Sequence, residues 1–157
     1  MVKTKKSWRE KLADSKDLPK VIKLTSRQAK LWGYGTMAIA APMEINDIMR
    51  QVPKGKLTTI NEIRKEIAQK HSADSACPIT TGIFAWISAY AAEEDKSEGK
   101  KRTTPYWRTL KKDGEINPKY PGGIAAQIKL LEAEGHDILI KGSKAFVTGY
   151  EKRLVKR

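Results

Sequence analysis

The chain has 157 residues and a mass of 17.6 kDa, enough for one domain. Lys and Arg number 31 against 18 Asp and Glu, a net charge of +13 with a pI of about 9.8, which favours a polyanionic partner, nucleic acid ahead of an anionic membrane. A single cysteine, Cys77, excludes an internal disulfide framework and a thiolate zinc cluster, and two histidines, His71 and His136, argue against a multi-histidine metal site, so neither metal nor cofactor is expected.

The charge is unevenly placed. Residues 1–30 hold ten basic residues against three acids, residues 31–95 six against eight, residues 96–120 eight against three, and residues 121–157 seven against four. This pattern predicts a basic N-terminal arm over residues 1–41, with Trp8, Trp32 and Tyr34 packing part of it on a domain over 42–157. The N-terminus lacks an apolar stretch of signal-peptide length. The run from Met37 to Met43 falls far short of the ~20 residues that a membrane span needs. The expectation is a soluble protein of a reducing compartment, cytoplasmic, or nucleoid-associated in a bacterium or archaeon, with no membrane partner.

Ile45, Ile48, Met49 and Val52 recur at helical spacing, with Pro42 suited to the first turn and Pro53 and Gly55 to the stop. A second helix is predicted from Ile60 to Lys70, with Ile60, Ile63 and Ile67 on one face and Thr59 and Glu62 at capping-box spacing. After a polar turn, a third helix is predicted over TTGIFAWISAYAAEED. Thr80 or Thr81 would cap it, and Ile83, Trp86, Ile87, Tyr90 and Ala91 would form its apolar face. Two such helices suggest a helix-turn-helix, whose second helix meets DNA. Residues 93–104, EEDKSEGKKRTT, read as a charged loop insertion. A fourth helix follows, with Ile124, Ile128 and Leu131 on one side and Gly135 as its stop. The alternation around Lys141-Gly142-Ser143 predicts a small hairpin, either a wing or a closure of the core. The fold class expected is mainly α: a winged-helix-like helix-turn-helix domain with a small C-terminal β-hairpin and a basic N-terminal arm.

Four segments in order carry a resemblance: VPKGKLTTINEI (52–63), TTGIFAWI (80–87), PYWR (105–108) and DGEINPKYPGGIAAQIKLLEAEG (113–135). Together, across Met43 to Gly135, they resemble the C-terminal domain of the 6-O-alkylguanine-DNA alkyltransferases and the non-catalytic alkyltransferase-like proteins. The resemblance implies that TTGIFAWI is a recognition helix entering the minor groove. It also implies that PYWR stands where the family has Pro-Cys-His-Arg, with the cysteine as nucleophile, the histidine assisting it, and a glutamate orienting the histidine.

On that alignment, Tyr106 replaces the cysteine and Trp107 the histidine, while Arg108 and the glutamate, Glu134, remain. A phenol ionises only near pH 10, and an indole nitrogen donates but cannot act as a base, so alkyl transfer is not expected. The arginine that enters the base stack becomes Ile79, and the tyrosine that helps turn out the nucleotide becomes Ile60. Cys77, before Pro78, is a poor substitute nucleophile, since a lone small thiol is more often a buried hydrophobe.

The function these readings favour is a non-catalytic DNA-binding protein of the alkyltransferase-like type, in DNA repair or alkylation-damage recognition. Its expected partners are double-stranded DNA, alkylated DNA included, and repair proteins. Thr80, Thr81, Gly82, Ala85 and Ser88 would face the DNA. Lys100, Lys101, Arg102, Arg108, Lys111 and Lys112 would contact phosphates, with Lys3, Lys5, Lys6 and Arg9 adding charge from the arm. Tyr106, Trp107, Arg108, Ile79 and Ile60 would form the former pocket. Two alternatives stay open: an enzyme with a repurposed pocket, including an alkyltransferase using Cys77, and a basic RNA-binding or scaffold protein that keeps only the fold.

Overall fold

The computed structural model describes residues 7–32 and 35–155. Lys3, Lys5, Lys6, Tyr34 and the side chain of Trp32 lie outside the described residues. Helices dominate: α1 (Trp8–Ala13), α2 (Ser26–Trp32), α3 (Pro42–Arg50), α4 (Ile60–Lys70), α5 (Pro78–Ser97) and α6 (Gly123–Ala133). The strands are short. β1 (Lys20–Lys23) runs antiparallel to β2 (Thr36–Ile39), which pairs in parallel with β4 (Ser75–Ala76). β3 (Thr58–Thr59) and β5 (Thr109–Leu110) form a parallel pair, and β6 (Ile138–Lys141) and β7 (Lys144–Val147) form an antiparallel hairpin.

Within residues 7–32 and 35–41, expected as part of a partly packed arm, some segments pack on the rest of the chain and others are exposed. β2 joins the sheet that contains β4, and Met37, Ala38, Ala40 and Ala41 are buried. α1 is capped by Ser7, whose hydroxyl accepts from the Glu10 amide, and buries Leu12 against Ile87 and Ala91 of α5.

α3 and α4 follow the apolar spacing. Ile45, Met49, Ile63 and Ile67 are fully enclosed, and side chains of this size contribute about 1.5–3 kcal/mol each on burial. Thr59 caps α4 by accepting from the Glu62 amide at 3.1 Å. The Glu44 carboxylate locks the two helices together. It accepts from the Ala41 amide at the start of α3, and from Lys70 Nζ and His71 Nε2 at the end of α4, both at 2.7 Å.

α5 differs from its expected form in three ways. It starts at Pro78, because proline suits the first helical position, so Cys77 is the N-cap; Thr81 lies inside the first turn, donating to the Cys77 carbonyl. It runs to Ser97, two residues past the expected segment, so residues 93–97 of the charged insertion are helical. Its buried face is wider than the expected stripe and only partly coincides with it. Ile87 and Ala91 of that stripe are buried, together with Thr81, Ala85, Ser88, Ala89 and Ala92, while Ile83 is 44% exposed. Small side chains let α3 and α4 pack closely on this helix, Ile87 and Ala91 pack toward α1, and Phe84 and Trp86 are partly buried against the core.

α6 ends as its glycine predicts. Gly135 takes φ +90°, the His136 amide donates to the Leu131 carbonyl, and the Gly135 amide donates to Glu132, which together make a Schellman stop. Leu131 joins Leu57, Leu110, Ile116, Ala145 and Val147 in a second core under the β6–β7 hairpin.

Candidate nucleic-acid interface

The parallel pairing of β3 with β5 places Ile60 and Lys111, the residues that follow each strand, at the same end of the pair. The N-terminal half of α5 closes the other side. Together they enclose a groove of about 640 Å³. Ile60, Ile79, Gly82, Ile83 and Trp86 form its apolar walls, and Lys111, Lys112, Lys119, Asn61 and Asn117 its polar lining. Ile79 is 57% exposed, so the groove presents free apolar surface beside three lysines.

The residues expected to face DNA divide. Gly82 lines the groove and Thr80 is half-buried, but Thr81, Ala85 and Ser88 are enclosed by the protein, so that part of the expected contact face is corrected. They are taken up in helix packing. Sequence reasoning missed Ile83, Trp86, Asn61, Asn117 and Lys119 as groove residues. Ile83 and Trp86 carry an apolar periodicity that reads as core, and Lys119 lies within the basic stretch 96–120, so the signals are present but point to the wrong face.

The expected pocket also divides. Ile60 and Ile79 lie in the groove. Tyr106, in a 3-10 turn over Tyr106–Arg108, is only 3% exposed and packs edge-on against Trp107 and Tyr120. Its hydroxyl donates to Glu93 Oε1 at 2.8 Å. It borders a separate hollow of about 470 Å³ between Glu93 and Lys96 of α5 and Pro121, Gly122 and Ala126 at the start of α6. Burial, then the Glu93 carboxylate, pushes the Tyr106 phenol above its ordinary pKa of 10.0, so the hydroxyl stays protonated.

Trp107 and Arg108 converge on Glu134. The indole Nε1 donates to Glu134 Oε2 at 2.9 Å; Arg108 donates through Nε to Oε1 and through its terminal nitrogen to Oε2, each at 2.9 Å. Arg108 also donates to the Val52 carbonyl at 2.7 Å, and the Gly55 amide reaches Glu134 Oε1 at 3.4 Å. Burial opposes ionisation of Glu134, but Arg108, Trp107 and the Gly55 amide together hold its pKa below the ordinary 4.5. Only 14% of the Arg108 side chain is exposed, and each of its three nitrogens bonds within the protein.

Of the other expected phosphate contacts, Lys101, Arg102 and Lys112 are exposed. Lys100 sits 3.2 Å from Asp95, and Lys111 lies 3.9 Å from Glu115 at the groove rim. Arg9 is committed to α5: it lies 2.6 Å from Glu98 and 3.7 Å from Asp95. Cys77 is buried. Among the described residues, no group of three or more His, Cys, Asp or Glu is arranged to hold a metal ion, and no helix is long and apolar enough to cross a membrane.

No protein-family model matches the chain, and no curated protein does. Solved structures do. The chain is similar to S. pombe Atl1 in complex with damaged DNA containing O6-carboxymethylguanine, with a TM-score of 0.52 and 18% identity over 74% of this chain and 94% of that one. It is similar to S. pombe ATL in complex with DNA, with a TM-score of 0.53 and 19% identity over the same shares. At this identity the likeness establishes a shared fold, that of the alkyltransferase-like proteins.

Proposed function

We propose that the chain is a non-catalytic DNA-binding protein of the alkyltransferase-like type, acting in recognition of alkylation damage. The observation that carries this is the groove: an exposed apolar face at the start of α5, rimmed by Lys111, Lys112 and Lys119. The fold shared with Atl1, solved with damaged DNA, supports the choice of ligand. α4, the turn 71–77 and α5 act as the helix-turn-helix, with β6–β7 as the wing and the domain spanning 42–157. The N-terminal end of α5 enters the minor groove. There Gly82 permits close approach, and Ile79 and Ile83 wedge against base edges. Lys111, Lys112 and Lys119 meet the flanking phosphates, with Lys101 and Arg102 as further contacts.

No alkyl group is transferred. The side chain at the nucleophile's position is a buried phenol tied to Glu93, and the glutamate that would orient a histidine is occupied by an indole and a guanidinium. Trp107 takes the hydrogen bond to Glu134 that the family resemblance assigns to histidine. The polar frame of the site thus persists without a base in it.

The test is duplex binding over a salt series, with affinity falling by about 0.9 log units per log unit of salt for each phosphate contacted. Absence of duplex binding at low salt sinks the proposal; a preference for structured RNA replaces it with an RNA-binding role. Intact-mass analysis after incubation with 6-O-methylguanine duplex separates the enzyme alternative, since the proposal expects no gain of a methyl group.

A further inference from the structure

Trp86 forms one wall of the groove and belongs at the same time to an aromatic trio. The Trp8 ring meets Trp86 edge-on at 5.1 Å and stacks on Tyr90 at 4.7 Å, and Trp86 meets Tyr90 edge-on at 5.7 Å. One of the two ring contacts on this wall, and the nearer one, therefore comes from α1, far away in sequence. α1 is fixed there in three ways. Leu12 is buried with Ile87 and Ala91, the Arg9 guanidinium reaches Glu98 and Asp95, and the Arg9 amide donates to Glu94. The extension of α5 to Ser97 is what presents those acids. On the outer side, Lys11 Nζ stands 4.2 Å from the Trp8 ring centre. A cation held over an indole keeps its charge while its side chain is ordered.

We infer that α1 is a working part of the nucleic-acid interface: Trp8 is a positioning residue that sets the Trp86 indole as the groove wall. The inference rests on the DNA-binding reading and adds to it a determinant outside the helix-turn-helix. Without the Trp8 ring, Trp86 keeps Tyr90 but loses the nearer of its two edge-on partners, which loosens the indole where it borders the groove. Trp8 need not touch DNA for this effect.

The experiment compares wild type, Trp8→Ala and Trp8→Phe in the full chain. Near-ultraviolet circular dichroism of the free proteins reports the aromatic trio, and duplex affinity is measured over a salt series. The expected result is that Trp8→Ala loses the trio's signal and binds roughly fivefold more weakly, in line with the worth of an aromatic pair. Its salt slope should stay at the wild-type value, because the substitution leaves every phosphate-binding side chain in place. Trp8→Phe keeps an aromatic ring and should recover most of the affinity. Wild-type affinity in Trp8→Ala with the trio's signal lost overturns the inference and leaves the DNA-binding reading standing. So does equal loss in Trp8→Ala and Trp8→Phe, which marks a general loss of packing. Failure of the wild type itself to bind duplex overturns both.

Discussion

Glu134 shows how a single carboxylate ties together segments distant in sequence. Its carboxylate is 7% exposed and faces Arg108, itself 14% exposed. Removing one member of a buried pair leaves the other charge uncompensated, so Glu134→Ala should cost about 3 kcal/mol or more in denaturant unfolding. On the proposed function, Tyr106→Cys should not create a transferase, because Trp107 stands where the family resemblance would put the base, and intact mass should show no added methyl group after incubation with 6-O-methylguanine duplex. Among the described residues, three enclosed groups contribute to the response to acid, beside the exposed Asp17 and Asp74. His136 is buried, and burial, then Arg153 and Arg108, lowers its pKa from 6.5. Glu44 and Glu134 are lowered from 4.5, the ion-pair and hydrogen-bond partners overcoming burial in each. All three bind protons more readily when unfolded. Their stabilisation is full above the unfolded values and is lost as pH falls through the folded ones. The melting temperature should therefore begin to drop below pH 6.5 and fall more steeply below 4.5. His136→Leu should abolish the first stage; a melting temperature flat from neutrality down to 4.5 in the wild type contradicts the assignment.

At the scale of elements, α5 decides the most. Its two faces separate stability from binding. Ala85 is fully enclosed, so Ala85→Leu should destabilise by about 1–3 kcal/mol through overpacking. Ile79 is 57% exposed, so Ile79→Asp should change stability by less than about 0.5 kcal/mol. The same change sets a carboxylate against phosphates and should weaken duplex binding by roughly tenfold, or 1.4 kcal/mol. Paired thermal melts and binding titrations check both. Much of this was legible in the sequence. The spacing of Ile60, Ile63 and Ile67 gave α4 its bounds, Gly135 gave α6 its stop, and the alternation around Gly142 gave the hairpin. The orientation of α5 was not legible. That helix is apolar on most sides, so periodicity does not say which stripe is buried. Tertiary packing chose the small residues, because α3 and α4 need close approach, and left Ile79, Ile83 and Trp86 for the groove. The commitment of Arg9 and Arg108 to carboxylates distant in sequence was equally hidden, since only the folded chain brings Glu98 and Glu134 to them.

For the molecule as a whole, the net charge of +13 is not spread evenly over function. Arg9, Lys70, Lys100 and Arg108 are drawn into ion pairs within the fold, while Lys112, Lys119 and Lys111, the last in a loose pair with Glu115, border the groove. Replacing these three lysines by glutamine should lower the salt slope by about 0.9 for each phosphate that they neutralise. Lysines paired inside the fold should change it little. The proposed function is recognition of alkylated DNA without alkyl transfer, and a paired affinity measurement tests it most directly. Affinity is determined for matched duplexes with and without a single 6-O-alkylguanine, at one fixed salt concentration, with the protein's mass followed in the same samples. The account predicts tighter binding to the lesion duplex and an unchanged protein mass. Equal affinity for the two duplexes, or transfer of the alkyl group to the protein, would contradict it.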